Sequence, residues 1–328
     1  MSPERSASEV ELQREDRTAR QLGNGGLDHI GVCIPTYKRP EFLKELLSML
    51  GRQKSDGFFR YSVHVVDNDE ARSAEGVVAD FARLAPFPVT YAVEPVQNIS
   101  LARNRVLRCA QGNFLAFIDD DEIPTEEWLL TLYQACRACG ADGVLGQVKP
   151  LFDANSPSWL IKSRLCERPS FRNGMVLTHE EGRTGNVLLK RDVLNGLEPP
   201  FRPEKGRTGG EDMDFFRSLI ARGHVFVWCD HAPVYEHLGP ARCRKRYYID
   251  RALRIGGLAG KMLRDSRRGR WRATLKSLCA TSVEVPLAIM GLFCGGHLYA
   301  RYAAKAAYHF GRICGTLGFI PIRYKSDS

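Results

Sequence analysis

The sequence lacks three features that define common special classes of protein. The first 27 of its 328 residues contain no apolar run. We therefore expect a disordered tail there, because a secretory signal needs a continuous hydrophobic segment. Among ten cysteines the only close pair is Cys136 and Cys139, and no second pair follows at zinc-site spacing. This predicts packing cysteines in a reducing compartment, not a disulfide scaffold or a metal site.

Charge is unevenly distributed along the chain. Residues 241–328 contain 18 Lys and Arg against 4 Asp and Glu, a net charge of +14, whereas residues 1–240 carry a net charge of −5. A basic extension on a mildly acidic body indicates a polyanionic surface as partner. Charge alone does not separate phospholipid from nucleic acid.

Short apolar runs alternate with helical patterns in the first half of the chain. Such alternation predicts an α/β fold with a doubly wound, mostly parallel sheet, which binds ligands at the carboxyl edge of its strands. After about residue 151 the alternation stops, and a helix near Glu211 and a strand over 224–230 follow. The apolar runs cover residues 29–35, 61–68, 89–95, 113–121 and 141–150.

Polar residues follow the first two predicted strands. In IPTYKRP (34–40), Tyr37 is suited to stacking on a base and Arg39 to meeting a phosphate. Taken alone, this motif is explained by default as an ordinary strand–turn–helix junction with Pro40 at the helix start. Asp67, after the second strand, is placed to accept from a uracil imide or a ribose hydroxyl, or to cap the next helix.

Two further segments carry charge at the predicted ligand edge. Arg103, Asn104 and Arg105 lie in the opening turns of a helix, where an anion such as a diphosphate is favoured, although a solvated basic face is the simpler alternative. FIDDDEIP (117–124) concentrates four carboxylates after an apolar strand. Their mutual repulsion favours a bound cation, Mg²⁺ or Mn²⁺, over an acidic turn that only caps the following helix.

Together these motifs resemble the family 2 glycosyltransferases. The resemblance covers residues 29 to about 240 and includes RTGNVLLKRDVL (183–194), GGEDMDF (209–215) and APVYEHLGPAR (232–242). Within that family the chain is similar to the succinoglycan-type exopolysaccharide glucosyltransferases of bacteria. The resemblance implies a Rossmann-like GT-A fold, a nucleotide-sugar donor such as a UDP-hexose, a divalent metal ion, and inversion at the anomeric carbon.

The resemblance also implies roles for individual residues. Asp212 corresponds to the general base, and its neighbour Glu211 could share that work. Asp121 would be the direct metal ligand, with Asp119 and His237 as further ligands. Asn186 and Trp159 would face the acceptor, although Trp159 is equally suited to packing and His237 to a structural role. The nucleotide-sugar would be bound by Pro35, Thr36, Tyr37, Arg39, Asp67, Arg103, Asn104, Asp119 and Asp120.

The basic extension predicts a membrane-surface element. Apolar residues at 248, 252, 255, 259 and 262 form a helical stripe opposite Arg and Lys side chains that include Arg268. Residues 277–298 hold one charge, Glu284, and are long enough to cross a bilayer. Because Glu284 and Pro286 interrupt them, we expect an interfacial or re-entrant hydrophobic segment. A helix packed on the protein body is the alternative.

These observations predict four regions and a membrane-associated enzyme. The expected location is the cytoplasmic face of the inner membrane, and the expected acceptor is a saccharide or polyprenyl-linked saccharide. A nucleotidyltransferase is disfavoured because PTYKRPEF has no glycine. Nucleic acid is disfavoured because the ligand edge is acidic. A non-catalytic nucleotide-sugar or polyanion-binding module remains the alternative. The regions are a tail (1–27), a nucleotide-sugar half (28–150), an acceptor half (151–240) and a membrane-associating extension (241–328).

Overall fold

The computed structural model describes residues 26–154, 156–206, 209–266 and 270–319. Most of the predicted N-terminal tail and Arg268 lie outside the described residues. The described chain divides into two compact units. The predicted boundaries at 150 and 240 stay predictions. The first unit comprises residues 26–147, 170–203 and 210–234, and the second comprises the remaining described residues from 148 onward.

One sheet, with strand order β3-β2-β1-β4-β7-β6-β8-β5, organises the α/β fold. β1 pairs in parallel with β2 and β4, and β2 with β3, whereas β7 is antiparallel to β4 and β6. The strands are β1 (Asp28–Thr36), β2 (Phe59–Asp67), β3 (Val89–Val93), β4 (Phe114–Ile118), β5 (Glu122–Pro124), β6 (Gly143–Leu151), β7 (Asn186–Lys190) and β8 (Phe226–His237). The predicted doubly wound, mostly parallel sheet is confirmed.

Helices connect and flank these strands. They are α1 (Pro40–Leu50), α2 (Glu75–Ala82), α3 (Ile99–Cys109), α4 (Trp128–Cys139), α5 (Ser158–Ser163), α6 (Glu211–Ala221), α7 (Lys245–Ser266), α8 (Arg270–Cys294) and α9 (Gly296–Leu317). All ten cysteines are free thiols, and Cys136 is buried in α4 with its thiol donating to the Ala141 carbonyl. The predicted packing role is therefore confirmed for Cys136.

Apolar burial fixes the first unit. The inward stripe of α1 buries Leu43, Leu46, Leu47 and Leu50 completely, as the 3.6-residue period requires. A second core contains Phe117 of β4 together with buried residues of α3 and α6. Each fully buried Leu or Phe contributes roughly 1.5–3 kcal/mol relative to an exposed one. The carboxyl ends of β1, β2 and β4 are thereby held at one edge.

The second unit contains three long helices. α7 packs closely against α9, and glycines lie at their contact. The predicted apolar segment 277–298 forms the later part of α8 and the start of α9, and the chain turns between them at Gly295 with φ of 138°. Among the described residues, α8 is the one helix that is long and apolar enough to cross a membrane, judged by length and composition alone.

Candidate active site

The end of β1 lies against the aspartate run that follows β4. The Thr36 hydroxyl donates to Asp120 Oδ2 at 2.8 Å, and the Tyr37 backbone N–H donates to the same oxygen at 3.4 Å. Pro35 and Thr36 are buried and Tyr37 is half-buried. Burial raises the pKa of the Asp120 carboxyl, while the charge of Arg39 and the Thr36 hydrogen bond act in the opposite direction. Thr36 and Asp120, 84 residues apart in sequence, are therefore joined directly.

Arg39 connects two carboxylates of the aspartate run. Its Nη1 atom lies 3.3 Å from Asp120 Oδ1 and 2.9 Å from Asp121 Oδ2. The Arg39 side chain is 47% exposed, whereas both carboxylates are buried. A phosphate is thus able to reach the exposed side of this guanidinium, and a cation at Asp121 has to share that carboxylate with Arg39.

Glu122 closes the turn that displays the aspartates. It is completely buried, and its Oε2 accepts a hydrogen bond from the Asp119 backbone N–H at 3.1 Å. A Cβ added at Gly185 would lie 2.6 Å from Glu122 Oε1 and 3.2 Å from Asp119 Oδ2. A side chain at this position would have to displace the Glu122 and Asp119 carboxylates, so the segment before β7 lies directly against the aspartate run.

Asp67 braces the loop after β2. Its Oδ1 accepts from the Asp69 N–H at 3.1 Å, and its Oδ2 accepts from the Ala74 N–H at 2.8 Å and the Tyr91 hydroxyl at 3.0 Å. Burial, and then the Asp67 contact, raises the pKa of Tyr91. The carboxylate is completely buried, and its three hydrogen bonds stabilise the loop. The predicted nucleoside contact stays a prediction.

Arg103 joins the aspartate run to the start of α6. Its Nη1 donates to Glu211 Oε1 at 2.8 Å and to Asp212 Oδ1 at 2.7 Å, and its Nη2 lies 3.7 Å from Asp119 Oδ1. Burial by itself lowers the pKa of the Arg103 guanidinium, but the three carboxylates outweigh burial and the net pKa is raised. Arg103 is a permanent cation between the two acidic segments, and a nucleotide contact by it stays a prediction.

Glu211 and Asp212 occupy the first turn of α6, where carboxylates are stabilised by the helix dipole. Burial, and then repulsion from Asp212, raises the pKa of Glu211 against the opposing effect of Arg103. Asp212 is 21% exposed, and its Oδ1 also accepts from the Thr184 hydroxyl at 2.7 Å. Of the two, Asp212 is the less buried carboxylate and the better placed to meet an acceptor.

Two predicted site residues are engaged in internal hydrogen bonds. Asn104 binds both backbone groups of Phe201, its Nδ2 donating to the carbonyl at 2.7 Å and its Oδ1 accepting from the N–H at 2.9 Å. The Asn186 amide donates to the Gln147 and Ala232 carbonyls and accepts from Trp128 Nε1 at 2.8 Å. Both amides anchor the backbone around the site, and their predicted substrate contacts stay predictions.

The other predicted residues lie in the second unit. Trp159 packs edge-on against Tyr248 with ring centroids 6.2 Å apart, and Lys245 Nζ lies 5.6 Å from its ring. His237 ends β8, next to Glu236, which is buried between Arg168 and Arg242. These arginines lower the pKa of Glu236, although burial alone would raise it. The acceptor role of Trp159 and the metal role of His237 stay predictions.

The acidic edge fits a metal ion that takes few protein ligands. Among the described residues, no three His, Cys, Asp or Glu side chains are grouped as a metal-binding set. Mg²⁺ and similar ions are commonly held by one or two carboxylates with the rest of the shell from water and substrate phosphates. Asp119 and Asp121 belong to a group of six carboxylates and two guanidinium groups in all, and they satisfy that smaller requirement.

Thr184 and Gly185 are contacts that sequence analysis does not single out. Both lie in the motif RTGNVLLKRDVL, which was recognised only as a whole. In the sequence, the only signal is a Thr-Gly pair just before a strand. Their contacts with Asp212 and Glu122 become apparent only in the folded chain.

Sequence comparison places relatives of this chain among the glycosyltransferases and polysaccharide biosynthesis proteins. The sequence profile of glycosyl transferase family 2 matches residues 31–195. The succinoglycan biosynthesis protein ExoM of Rhizobium meliloti is 33% identical over 298 residues, which cover 88% of this chain and 93% of that protein. The chondroitin synthase of Escherichia coli is 29% identical over 247 residues, 66% of this chain and 36% of that protein.

Solved structures share the fold. The mannosyltransferase PcManGT from Pyrobaculum calidifontis, in complex with GDP-Man and Mn²⁺, superimposes with a TM-score of 0.58 at 15% identity, covering 93% of this chain and 94% of that one. Residues 1–349 of S. aureus TarS, in complex with UDP-GlcNAc, give a TM-score of 0.51 at 15% identity, covering 88% and 92%.

The fold and the acidic carboxyl edge define a GT-A glycosyltransferase. The chain belongs to glycosyl transferase family 2. The fold, family and enzyme class predicted from the motifs are confirmed.

Proposed function

We propose that this glycosyltransferase moves a hexose from a UDP-sugar to a saccharide hydroxyl with inversion, and that Asp212 is its general base. The observation that carries the proposal is the Arg103 junction, which holds Asp212 and Asp119 on one guanidinium. The base and the donor-side carboxylates are therefore fixed relative to each other. The UDP-GlcNAc complex of a protein with the same fold supports a uridine nucleotide as donor.

Asp212 would remove the proton from the acceptor hydroxyl as that oxygen attacks the anomeric carbon. The new bond joins the acceptor oxygen to the anomeric carbon, and the bond from that carbon to the diphosphate breaks. The electron pair leaves with UDP, and a single displacement inverts the anomeric configuration. Arg39, whose guanidinium is half-exposed beside Asp121, would orient the diphosphate.

Asp121 and Asp119 would hold Mn²⁺ or Mg²⁺ together with the donor phosphates, and the ion would neutralise charge that develops on the departing diphosphate. Thr36 and the Tyr37 N–H would keep Asp120 in place beneath this site. The Mn²⁺ complex of PcManGT supports the use of a divalent ion on this fold.

The acceptor would be a saccharide or polyprenyl-linked saccharide in exopolysaccharide synthesis. The support is the 33% identity to a succinoglycan biosynthesis protein over nearly the full length of both chains. The resemblance to succinoglycan-type glucosyltransferases makes UDP-glucose the first donor to test.

The second unit would bind the cytoplasmic face of an anionic membrane. One side of α8 faces solvent with large apolar side chains, among them Trp271 at 77% and Phe293 at 86% exposure. Exposed apolar surface of this extent is unusual on a soluble protein and typical of an interaction site. The net charge of +14 over residues 241–328 complements anionic phospholipid. A lipid-linked acceptor would then be presented at the same surface.

Calorimetry of UDP binding tests the donor site. We expect wild type to bind UDP more tightly with Mn²⁺ than without it. In Asp121→Ala the metal-dependent part should disappear, a loss of about tenfold or more in affinity. Asp212→Asn is the matched control, because it removes a carboxylate of the same site that the proposal gives to the acceptor. Its UDP affinity should stay within about twofold of wild type.

The results that contradict the proposal are distinct. Binding of GDP or dTDP in place of UDP would show that only the base is wrong. A wild type that binds none of these nucleotides, with or without Mn²⁺, would overturn the proposed donor site. That outcome favours the non-catalytic polyanion-binding module.

A further inference from the structure

Both hydrogen bonds to Asp212 converge on one of its two oxygens. Thr184 Oγ1 and Arg103 Nη1 each lie 2.7 Å from Asp212 Oδ1. No described residue donates to Oδ2. A carboxylate held in this way presents one saturated oxygen and one open oxygen, and the open oxygen is the stronger acceptor.

The position of the Thr184 hydroxyl is fixed by the backbone on which the residue lies. The residue is 1% exposed and precedes Gly185, which lies against Glu122 and Asp119. The next residue, Asn186, is anchored through its amide to two carbonyls and to Trp128. The Thr184 hydroxyl is therefore fixed in position on a rigid segment, which is what a residue that orients another side chain requires.

Thr184 adds a direction that Arg103 alone does not supply. The Arg103 Nη1 atom is shared between Asp212 Oδ1 and Glu211 Oε1, at 2.7 and 2.8 Å, so its attraction is divided between two carboxylates. The hydroxyl of Thr184, just before β7, donates to the same Oδ1 at 2.7 Å. Together the two donors determine the rotation of the carboxylate.

We infer that Thr184 is a positioning residue that holds Asp212 with Oδ2 open, so that Oδ2 takes the proton of the acceptor hydroxyl. The inference rests on the proposed function of Asp212. In the transfer step the acceptor O–H bond breaks, its proton goes to Oδ2, and the oxygen bonds to the anomeric carbon as the UDP oxygen leaves. Thr184 touches neither donor nor acceptor in this step.

The test measures UDP release from UDP-glucose with water as the acceptor, in the presence of Mn²⁺. Thr184→Val keeps the shape of the side chain and removes its hydroxyl. We expect kcat to fall about tenfold, with KM for UDP-glucose and affinity for UDP within about twofold of wild type, because the lost hydrogen bond is to a charged group. Thr184→Ser restores the hydroxyl and should restore kcat to within about twofold.

A double-mutant cycle separates positioning from a structural role. With Asp212→Asn as the background, Thr184→Val should cause no further loss of kcat, because the base it positions is already removed. An equal loss in both backgrounds, or a Thr184→Ser variant as slow as Thr184→Val, overturns the inference.

The remaining outcomes bear on the proposed function. If wild type binds UDP but forms UDP from UDP-glucose no faster than Asp212→Asn does, Asp212 is not the base and the inference fails with it. If wild type does not bind UDP, the donor site itself is wrong. A Thr184→Val loss that is independent of Asp212, in an enzyme that passes both checks, contradicts the inference alone.

Discussion

At the scale of single residues, buried charge carries a desolvation cost that neighbouring groups have to offset. Arg103 is almost fully buried, yet three carboxylates surround it, and its guanidinium also lies 5.7 Å from the Phe201 ring. Removing one partner of such a group is more damaging than the net value of the ion pair, since a buried charge is left uncompensated. The same logic explains why Asp120 lies between Thr36 and Arg39.

His64 is a buried group of the opposite kind, because it is kept neutral. The Gln111 N–H donates to its Nε2 at 3.3 Å, and Nδ1 contacts Thr90 Oγ1 at 2.8 Å. Burial first, and then the charges of His29 and Arg191, lowers the pKa of His64 to about 4. Protonation would place a hydrogen on Nε2 facing the Gln111 N–H, so the folded state resists the proton.

This group makes stability depend on pH in a defined window. Above about pH 6.5 the imidazole is neutral in both states. Below it the unfolded chain binds a proton that the folded chain refuses until about pH 4. As the pH is lowered from about 6.5 to about 4, the free energy of unfolding should therefore fall, by on the order of 2 kcal/mol. Urea titrations at pH 7 and pH 4.5 measure it, and His64→Gln should lose less stability over that interval. Equal losses in both proteins would contradict the assignment.

At the scale of elements, glycine decides how α7 and α9 pack. A Cβ at Gly256 or Gly260 of α7 would overlap backbone atoms of Tyr308 or Arg312, and one at Gly311 or Gly315 of α9 would overlap the backbone of α7. In the sequence these glycines only lower helix propensity. The four-residue spacing in GGLAG and GRICG was the available signal of close helix contact, but spacing does not identify the partner helix.

Because of this packing role, Gly→Ala should change the free energy of unfolding in opposite directions at two glycines. Gly260→Ala should lower the free energy of unfolding by about 1–3 kcal/mol, because the backbone it meets cannot move aside as a flexible side chain would. Gly76→Ala in α2 is the matched control. A Cβ there meets nothing within 4 Å, so alanine should stabilise by up to about 1 kcal/mol. Thermal unfolding of both variants decides it. A neutral or stabilising Gly260→Ala would show that the helices are not held this closely.

At the scale of the whole molecule, the strand–helix alternation predicts the doubly wound sheet, and the family resemblance carried by the motifs implies the GT-A fold. The antiparallel insertion of β7 between β4 and β6 was not predicted. The five residues of β7 lie within the longer motif RTGNVLLKRDVL, and a short apolar run does not specify which strands it will pair with. For the same reason the Arg103 junction needs the structure, because its partners Glu211 and Asp212 lie over 100 residues away in sequence.

The separation of an acidic body from a basic extension predicts two contributions to membrane binding. Phe293 of α8 is 86% exposed, and burying such a side chain in lipid contributes roughly 1.5–3 kcal/mol. Phe293→Asp should therefore weaken flotation of the protein with phosphatidylglycerol-containing vesicles about tenfold or more. Leu84→Asp is the matched control, because Leu84 is also 86% exposed but lies in the first unit, and it should bind as wild type does.

The basic contribution is separable by salt. The +14 extension should bind phosphatidylglycerol vesicles less tightly as NaCl shortens the screening length, whereas binding to pure phosphatidylcholine vesicles should depend only on α8 and stay insensitive to salt. Wild type that ignores both vesicle types overturns the membrane proposal. Binding that survives Phe293→Asp but vanishes in salt would leave charge as the whole attraction, with the apolar side of α8 covered by something other than lipid.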